Sequence, residues 1–158
     1  MIDYSKIKIV IWDLDETFWE GIFSEGPITP IQENIQLVKD LTDIGIVNSV
    51  CSKNDKEPTE KKLDELGVGD YFVFNSIDWN PKGQKINKTL KDMGLRAENT
   101  LFIDDNHLNL EEAKFFNEEI MVAMPDEITG LIEWCSKQEK KDLNHKRLNQ
   151  YKILEEKA

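Results

Sequence analysis

Residues 9–17 read Ile9-Val10-Ile11-Trp12-Asp13-Leu14-Asp15-Glu16-Thr17, an apolar run that ends in two carboxylates spaced two apart. A short run rich in β-branched residues is the pattern of a strand buried on both faces. Residues two apart on a strand share a face, and where the chain leaves the sheet both carboxylates can converge on one open pocket. Two buried like charges side by side are costly unless a cation sits between them or one keeps its proton. The pair therefore points to metal binding and acid–base chemistry, not to stability.

Outward from this stretch, similar runs recur at residues 46–51 and 100–103, with helical patterns between them. Ile31, Ile35, Val38 and Leu41 repeat at three and four residues, and Gly45 stops that helix. A second helix is expected over residues 57–66 with Gly67 as its stop, then a short strand over 71–74. Pro81 opens a helix that runs through Ile86 and Leu90 to Gly94. Residues 108–116 read as a further helix and 120–123 as a further strand. Strands alternating with helices imply the α/β class, a Rossmann-like three-layer sandwich with a central parallel sheet and right-handed crossovers.

The 158 residues suit one domain with a substantial core, and 39% hydrophobic with 32% charged residues marks a soluble globular chain. A net charge of −11 argues against a nucleic-acid partner held by phosphate contacts. Two cysteines, Cys51 and Cys135, do not make a disulfide framework. Neither a signal peptide nor a membrane span is readable, so the expected location is a reducing cytoplasm.

Ligands of open parallel sheets sit beyond the carboxyl ends of the strands. Asp13 and Asp15, Ser52-Lys53-Asn54, Lys82, and Asp104-Asp105-Asn106 all fall at such ends. A hard cation such as Mg²⁺ prefers oxygen ligands, which Asp13, Asp104 and Asp105 can supply. Asp13 could attack phosphorus to give an aspartyl-phosphate, with Asp15 as proton donor and later as base. Ser52 and Lys82 would hold the phosphoryl oxygens, with Asn54 orienting the substrate or capping the next helix. Asp105 either completes the metal shell or orients Lys82.

These residues resemble the four motifs of the haloacid dehalogenase (HAD) superfamily: Asp13 to Thr17, Ser52, Lys82, and the pair Asp104 and Asp105. The resemblance spans about residues 8–124. Finer features are similar to its FkbH-like branch: Trp19 and Gly21, Cys51 to Asp55, Asn80-Pro81-Lys82, Ile103 to Asn106, and Arg147 to Tyr151. Glu16 stands where that branch often has Asn, with a side chain not expected to enter the site. The resemblance implies a Mg²⁺-dependent phosphomonoester hydrolase acting on a phosphorylated sugar or small biosynthetic intermediate. It also implies the backbone carbonyl of Asp15 as a further metal ligand. Too few residues separate the motifs for a cap domain, so the site is expected open, with Trp19 and Phe23 at its entrance. An oligomer, or a fused or partner domain, would then cover it.

The alternative within the same resemblance is glyceryl or acyl transfer to a carrier protein through the Cys51 thiol. A phospho-receiver domain would use similar groups, but with the acidic pair first and the phosphorylated Asp on a later strand, the reverse of the order here. The catalytic domain is expected over residues 1–136. Residues 137–158, dense in Lys and Glu, read as a charged terminal helix that docks lightly or leads to a further domain or partner.

Overall fold

The computed structural model describes residues 2–158. Five parallel strands form the central sheet: β1 (Ile9–Trp12), β4 (Val47–Ser52), β5 (Ser76–Ile77), β6 (Thr100–Ile103) and β7 (Met121–Ala123). Their order is β5-β4-β1-β6-β7, so the chain runs outward to one side of β1 and then returns to build the other. Ile9 and Trp12 pair in register with Val47 and Val50 on one flank and with Thr100 and Ile103 on the other. The reversal of strand order places a crevice at the carboxyl end of β1, between β4 and β6.

Alternation along β1 feeds both layers. Val10 and Trp12 join one cluster with Val38 and Leu41 of α1 (Gln32–Asp43) and Leu131 of α5 (Thr129–Ser136). Ile9 and Ile11 join the other with Ile86 and Leu90 of α3 (Lys82–Met93) and Leu110 and Ala113 of α4 (His107–Phe116). Two buried polar groups in the first cluster's layer are paired: the Trp12 indole donates to Asn48 Oδ1 at 3.0 Å, and Asn48 Nδ2 donates to the Val38 carbonyl at 3.2 Å. The pairing satisfies both groups where an unmet one would weaken the layer.

Among the described residues no cap interrupts the fold. Between β1 and α1 the chain makes only a flap, with a two-residue antiparallel ribbon of β2 (Trp19–Glu20) and β3 (Thr29–Pro30). Between β4 and α3 lie α2 (Lys56–Glu65) and β5. The expected strand over residues 71–74 does not form. Phe72 makes a single bridge to Asn48, and Phe74 takes a left-handed φ of 52°, which breaks the extended run before β5. The segment over 129–136, not anticipated as a helix, is α5, and its Trp134 stacks on Tyr4 at 6.0 Å.

The charged tail forms α6 (Lys146–Lys157). Leu148 is buried and Tyr151 packs beside it, whereas Leu143 and Leu154 face solvent. Asp142 receives the Lys146 and Arg147 amides at 2.8 and 3.1 Å, and His145 meets Asp43 at 2.8 Å. No helix among the described residues is long and apolar enough to cross a membrane.

Candidate active site

Asp13 follows directly on β1 and is 5% exposed. The next residues depart from regular geometry: Asp15 is extended, and Glu16 is left-handed at φ 57°. Asn34, buried on α1, fixes this turn by donating to the Thr17 and Phe18 carbonyls, both at 3.1 Å. Thr17 thereby presents its hydroxyl within hydrogen-bond reach of Asp13 Oδ2 at 2.9 Å and Asp105 Oδ1 at 3.0 Å. The Asp105 amide donates to the same hydroxyl at 3.0 Å, tying the ends of β1 and β6 together.

Lys82 is the first residue of α3, and its position depends on close helix packing. At Gly83 an added Cβ would lie 2.6 Å from the Phe116 ring and 2.8 Å from the Glu112 carbonyl oxygen, so only glycine lets α3 and α4 approach this closely. Glu112 accepts the Gly83 amide at 2.6 Å, and Asn117 donates to the Gly83 carbonyl at 3.0 Å. With its backbone so held, Lys82 reaches inward and donates to Asp13 Oδ1 at 2.6 Å and Asp104 Oδ2 at 2.8 Å. Asp104, fully buried, also accepts the Asn106 amide at 2.8 Å and Asn109 Nδ2 at 3.1 Å.

One ammonium thus faces two buried carboxylates. Burial is the main force raising Asp13; Lys82 opposes it and Asp104 adds to it, and the carboxyl is pushed up to about 8. Burial works against the Lys82 cation, but the two aspartates outweigh it and hold the ammonium above its ordinary range. Oxygens of Asp13, Asp104 and Asp105 lie within 4.8 Å of one another. The surplus negative charge and the all-oxygen donor set fit a hard divalent cation. The Asp15 carboxylate stands outside this group.

Asp15 is instead held from the flap and from β4. The Trp19 indole and the Phe23 amide donate to its Oδ1 at 3.1 and 3.0 Å, and Asn54 Nδ2 donates to its Oδ2 at 3.1 Å. Asn54 also donates to Ser52 Oγ at 2.9 Å, leaving the Ser52 hydroxyl hydrogen free to meet a ligand. Lys85 stabilises the end of β4 through the Ser52 carbonyl at 3.0 Å and the Asp78 carboxylate at 3.1 Å.

All seven predicted site residues fall at this edge, and six of them line one cavity of about 270 Å³: Asp13, Asp15, Ser52, Lys82, Asp104 and Asp105. Asn54 lies behind, linking Asp15 to Ser52. It does not cap α2, whose cap position is Asp55. Asp105 is exposed and bonds Thr17, and Lys82 makes its ion pairs with Asp13 and Asp104 instead. Asn106 caps α4, accepting the Leu108 amide at 2.9 Å. Glu16 lines the cavity, contrary to expectation, because the left-handed turn brings it to the rim.

One further expectation is corrected, and the alternative role of Cys51 meets an obstacle. Trp19 is fully buried and stands behind Asp15, and neither it nor Phe23 lines the entrance; Ile22 does. Cys51 lies 1% exposed on the opposite face of β4 from Ser52, among Ile9, Ile11, Val73 and Ile86. Burial pushes its thiol up to about 12, so it is neither reachable nor ionised as an acyl carrier would need to be. Thr17, Asn34 and Asn109 were not singled out as site residues, although Thr17 stood inside the quoted stretch, and Trp19 was given a place at the entrance rather than its role as a donor to Asp15.

A family model described as haloacid dehalogenase-like hydrolase matches residues 16–123, well over half of the chain. The chain belongs to that family. The matched segment of this haloacid dehalogenase-like hydrolase takes in Ser52, Lys82, Asp104 and Asp105 and begins one residue after Asp15. No curated protein matches the sequence.

Solved structures share its fold. The N-terminal part of the Bacteroides fragilis protein BF1531, containing a phosphatase domain complexed with Mg, superposes with a TM-score of 0.63 at 17% identity, over 94% of this chain and 40% of that one. This chain therefore spans well under half of that relative. A Moraxella catarrhalis 3-deoxy-D-manno-octulosonate 8-phosphate phosphatase, in complex with magnesium, phosphate and KDO, gives 0.55 at 20% identity, over 72% and 67%. A Legionella pneumophila putative HAD-superfamily (subfamily III A) hydrolase gives 0.62 at 16% identity, over 98% and 87%.

Proposed function

We propose that this haloacid dehalogenase-like hydrolase is a Mg²⁺-dependent phosphomonoester hydrolase that works through an aspartyl-phosphate on Asp13. One observation carries the reading: the Asp13 carboxylate, bonded to Lys82, opens onto the same cavity as Asp15 and Ser52. Asp13, Asp104, Asp105 and the Asp15 carbonyl would hold the metal. Once bound, Mg²⁺ supplies positive charge against the phosphoryl oxygens and the carboxylates.

Asp13 donates an electron pair to phosphorus, and the bond from phosphorus to the ester oxygen breaks. Asp15 gives its proton to that departing oxygen, so an alcohol leaves. Asp15, now a carboxylate, takes a proton from water as the water oxygen attacks the phosphorus of the aspartyl-phosphate. Inorganic phosphate leaves and Asp13 is restored. Ser52 and Lys82 hold the phosphoryl oxygens through both steps, and the three donors on Asp15 fix it in place.

The substrate class we infer is a phosphorylated sugar or small biosynthetic intermediate. The FkbH-like features of the sequence and the phosphatases among the structural neighbours support this reading, and the shallow, uncapped cavity admits such molecules. The test is Mg²⁺-dependent phosphate release across a panel of sugar and glyceryl phosphates, beside Asp13→Asn. Release from the wild type and its loss in the variant are expected. A folded, Mg²⁺-loaded wild type that releases no phosphate from any ester would overturn the reading.

A further inference from the structure

We infer that Glu16 selects the organic half of the substrate by charge, so that the pocket takes phosphate esters of neutral or cationic alcohols and disfavours those bearing a carboxylate. The inference rests on the phosphatase reading above. The cavity has a buried floor of Asp13, Ser52, Lys82 and Asp104 and an exposed rim that includes Glu16, Ile22 and Lys53. A phosphoryl group seated on the floor leaves the rest of its ester at that rim.

Glu16 is fixed there. Its backbone is left-handed at φ 57°, a conformation uncommon outside Gly, Asn and Asp. Its carboxylate accepts the Gly21 amide, and its own amide donates to the Gly21 carbonyl at 3.2 Å. Gly21 is itself held at φ 97°, where an added Cβ would lie 3.3 Å from the Pro27 carbonyl oxygen. The flap therefore pins a negative charge at the mouth.

Among the described residues lining the mouth, a single cation stands against it. Lys82 is engaged by Asp13 and Asp104 on the floor. At the mouth, Glu16, Asp15 and Asp105 face the single ammonium of Lys53. The net charge of −11 adds a background of the same sign. An incoming carboxylate meets repulsion from this rim, whereas an ammonium or hydroxyl does not. Lys53 is the one group that could reverse the preference, and the experiment exposes that.

Three esters of nearly equal size separate the charges: 2-aminoethyl phosphate, 2-hydroxyethyl phosphate and phosphoglycolate. Their kcat/KM values are measured with Mg²⁺ for the wild type, Glu16→Gln and Glu16→Asn. Asn suits the left-handed turn, so at least one neutral variant keeps the flap. Comparing ratios between enzymes removes differences in leaving-group reactivity. The phosphoglycolate to 2-aminoethyl phosphate ratio should rise roughly fivefold in both variants, as expected for one partly exposed charge. That gain should shrink as salt is raised from about 0.02 M to about 0.5 M, which a purely steric role would not show.

An unchanged ratio in both variants, or a wild type that prefers phosphoglycolate, overturns the inference. If no ester is hydrolysed, nor an aryl phosphate, the phosphatase reading fails separately. Ligand-observed NMR of the three esters on the Mg²⁺-loaded wild type, which in that case leaves them intact, then decides the charge preference by itself. Tighter binding of 2-aminoethyl phosphate than of phosphoglycolate upholds it; equal binding, or none, overturns it.

Discussion

The Lys82 ammonium lies 2.6 Å from Asp13 and 2.8 Å from Asp104, one cation serving two carboxylates on the buried floor of the cavity. Such an arrangement is under-neutralised. Taking ions out of water costs several kcal/mol each, and one ammonium offsets only part of that for two anions. The floor is therefore a poor contributor to stability and a ready receptor for further positive charge.

Asp13→Asn should accordingly stabilise the metal-free protein while abolishing phosphate release. The Asn keeps the shape and leaves one Lys82–Asp104 pair. The gain should be on the order of 2 kcal/mol near neutral pH. Its pH dependence follows from a folded value raised to about 8. Below about pH 4 both folded and unfolded Asp13 hold the proton, so the variant has no advantage. The advantage grows as pH climbs and levels off above the folded value. Urea unfolding in EDTA from pH 4 to 9 checks this, and a variant less stable than the wild type at pH 8 would refute it. Mg²⁺ should raise the melting temperature of the wild type and much less that of the variant.

Trp19 makes a second kind of prediction, because it touches Asp15 without being reachable by substrate. Trp19→Phe removes one of the donors on Asp15 Oδ1 and keeps most of the packing. We expect kcat to fall about tenfold with KM within about twofold, since orientation of the proton-transferring group is lost but the phosphate contacts remain. Steady-state kinetics at saturating Mg²⁺ measure the split. A change carried by KM alone would place Trp19 in binding instead.

The predicted strands over 46–51, 100–103 and 120–123 and the helices stopped by Gly45, Gly67 and Gly94 were legible because apolar runs and left-handed glycine stops are local signals. The convergence of the four motif segments was legible for a different reason: parallel α/β topology sends every strand's carboxyl end to one edge. The roles of Asn34, Asn109 and Trp19 were hidden, because each acts through a hydrogen bond to a distant or oddly turned segment that periodicity does not reveal. Glu16 was misjudged because its side chain follows a single left-handed residue, and that φ comes from closure of the flap on Gly21. The strand expected over 71–74 failed at Phe74 for a comparable reason, one residue whose backbone is set by tertiary context.

Cys51 separates hydrolysis from thiol transfer. It faces the apolar layer, with its sulfur 4.0 Å from the Lys82 carbonyl oxygen. Cys51→Ala should leave phosphate release within about twofold and cost about 1 kcal/mol for the small void. In the native wild type a thiol reagent should modify Cys51 only as fast as the fold opens, because the thiolate is both buried and disfavoured. Rapid labelling of Cys51 in the folded protein, checked by mass spectrometry of the peptide, would reopen the transfer route.

Asp142 sets the pH response of the terminal helix. Burial alone would raise its carboxyl, but the Arg147 and Lys146 amides, with His145 and Arg147 nearby, bring it below the ordinary carboxylate range. A lowered folded value means the contribution is present above the unfolded carboxylate pKa and is lost as pH falls through the folded one. Docking of α6 should therefore loosen at acid pH, read as faster amide exchange at Leu148 and Tyr151 relative to the β1 core after correction for intrinsic rates. Asp142→Asn retains one acceptor and should lose about 1 kcal/mol of α6 protection at neutral pH. It should also flatten the acid dependence. An α6 in the variant that is as protected as the wild type's at pH 7 would show that the helix is held by Leu148 packing alone.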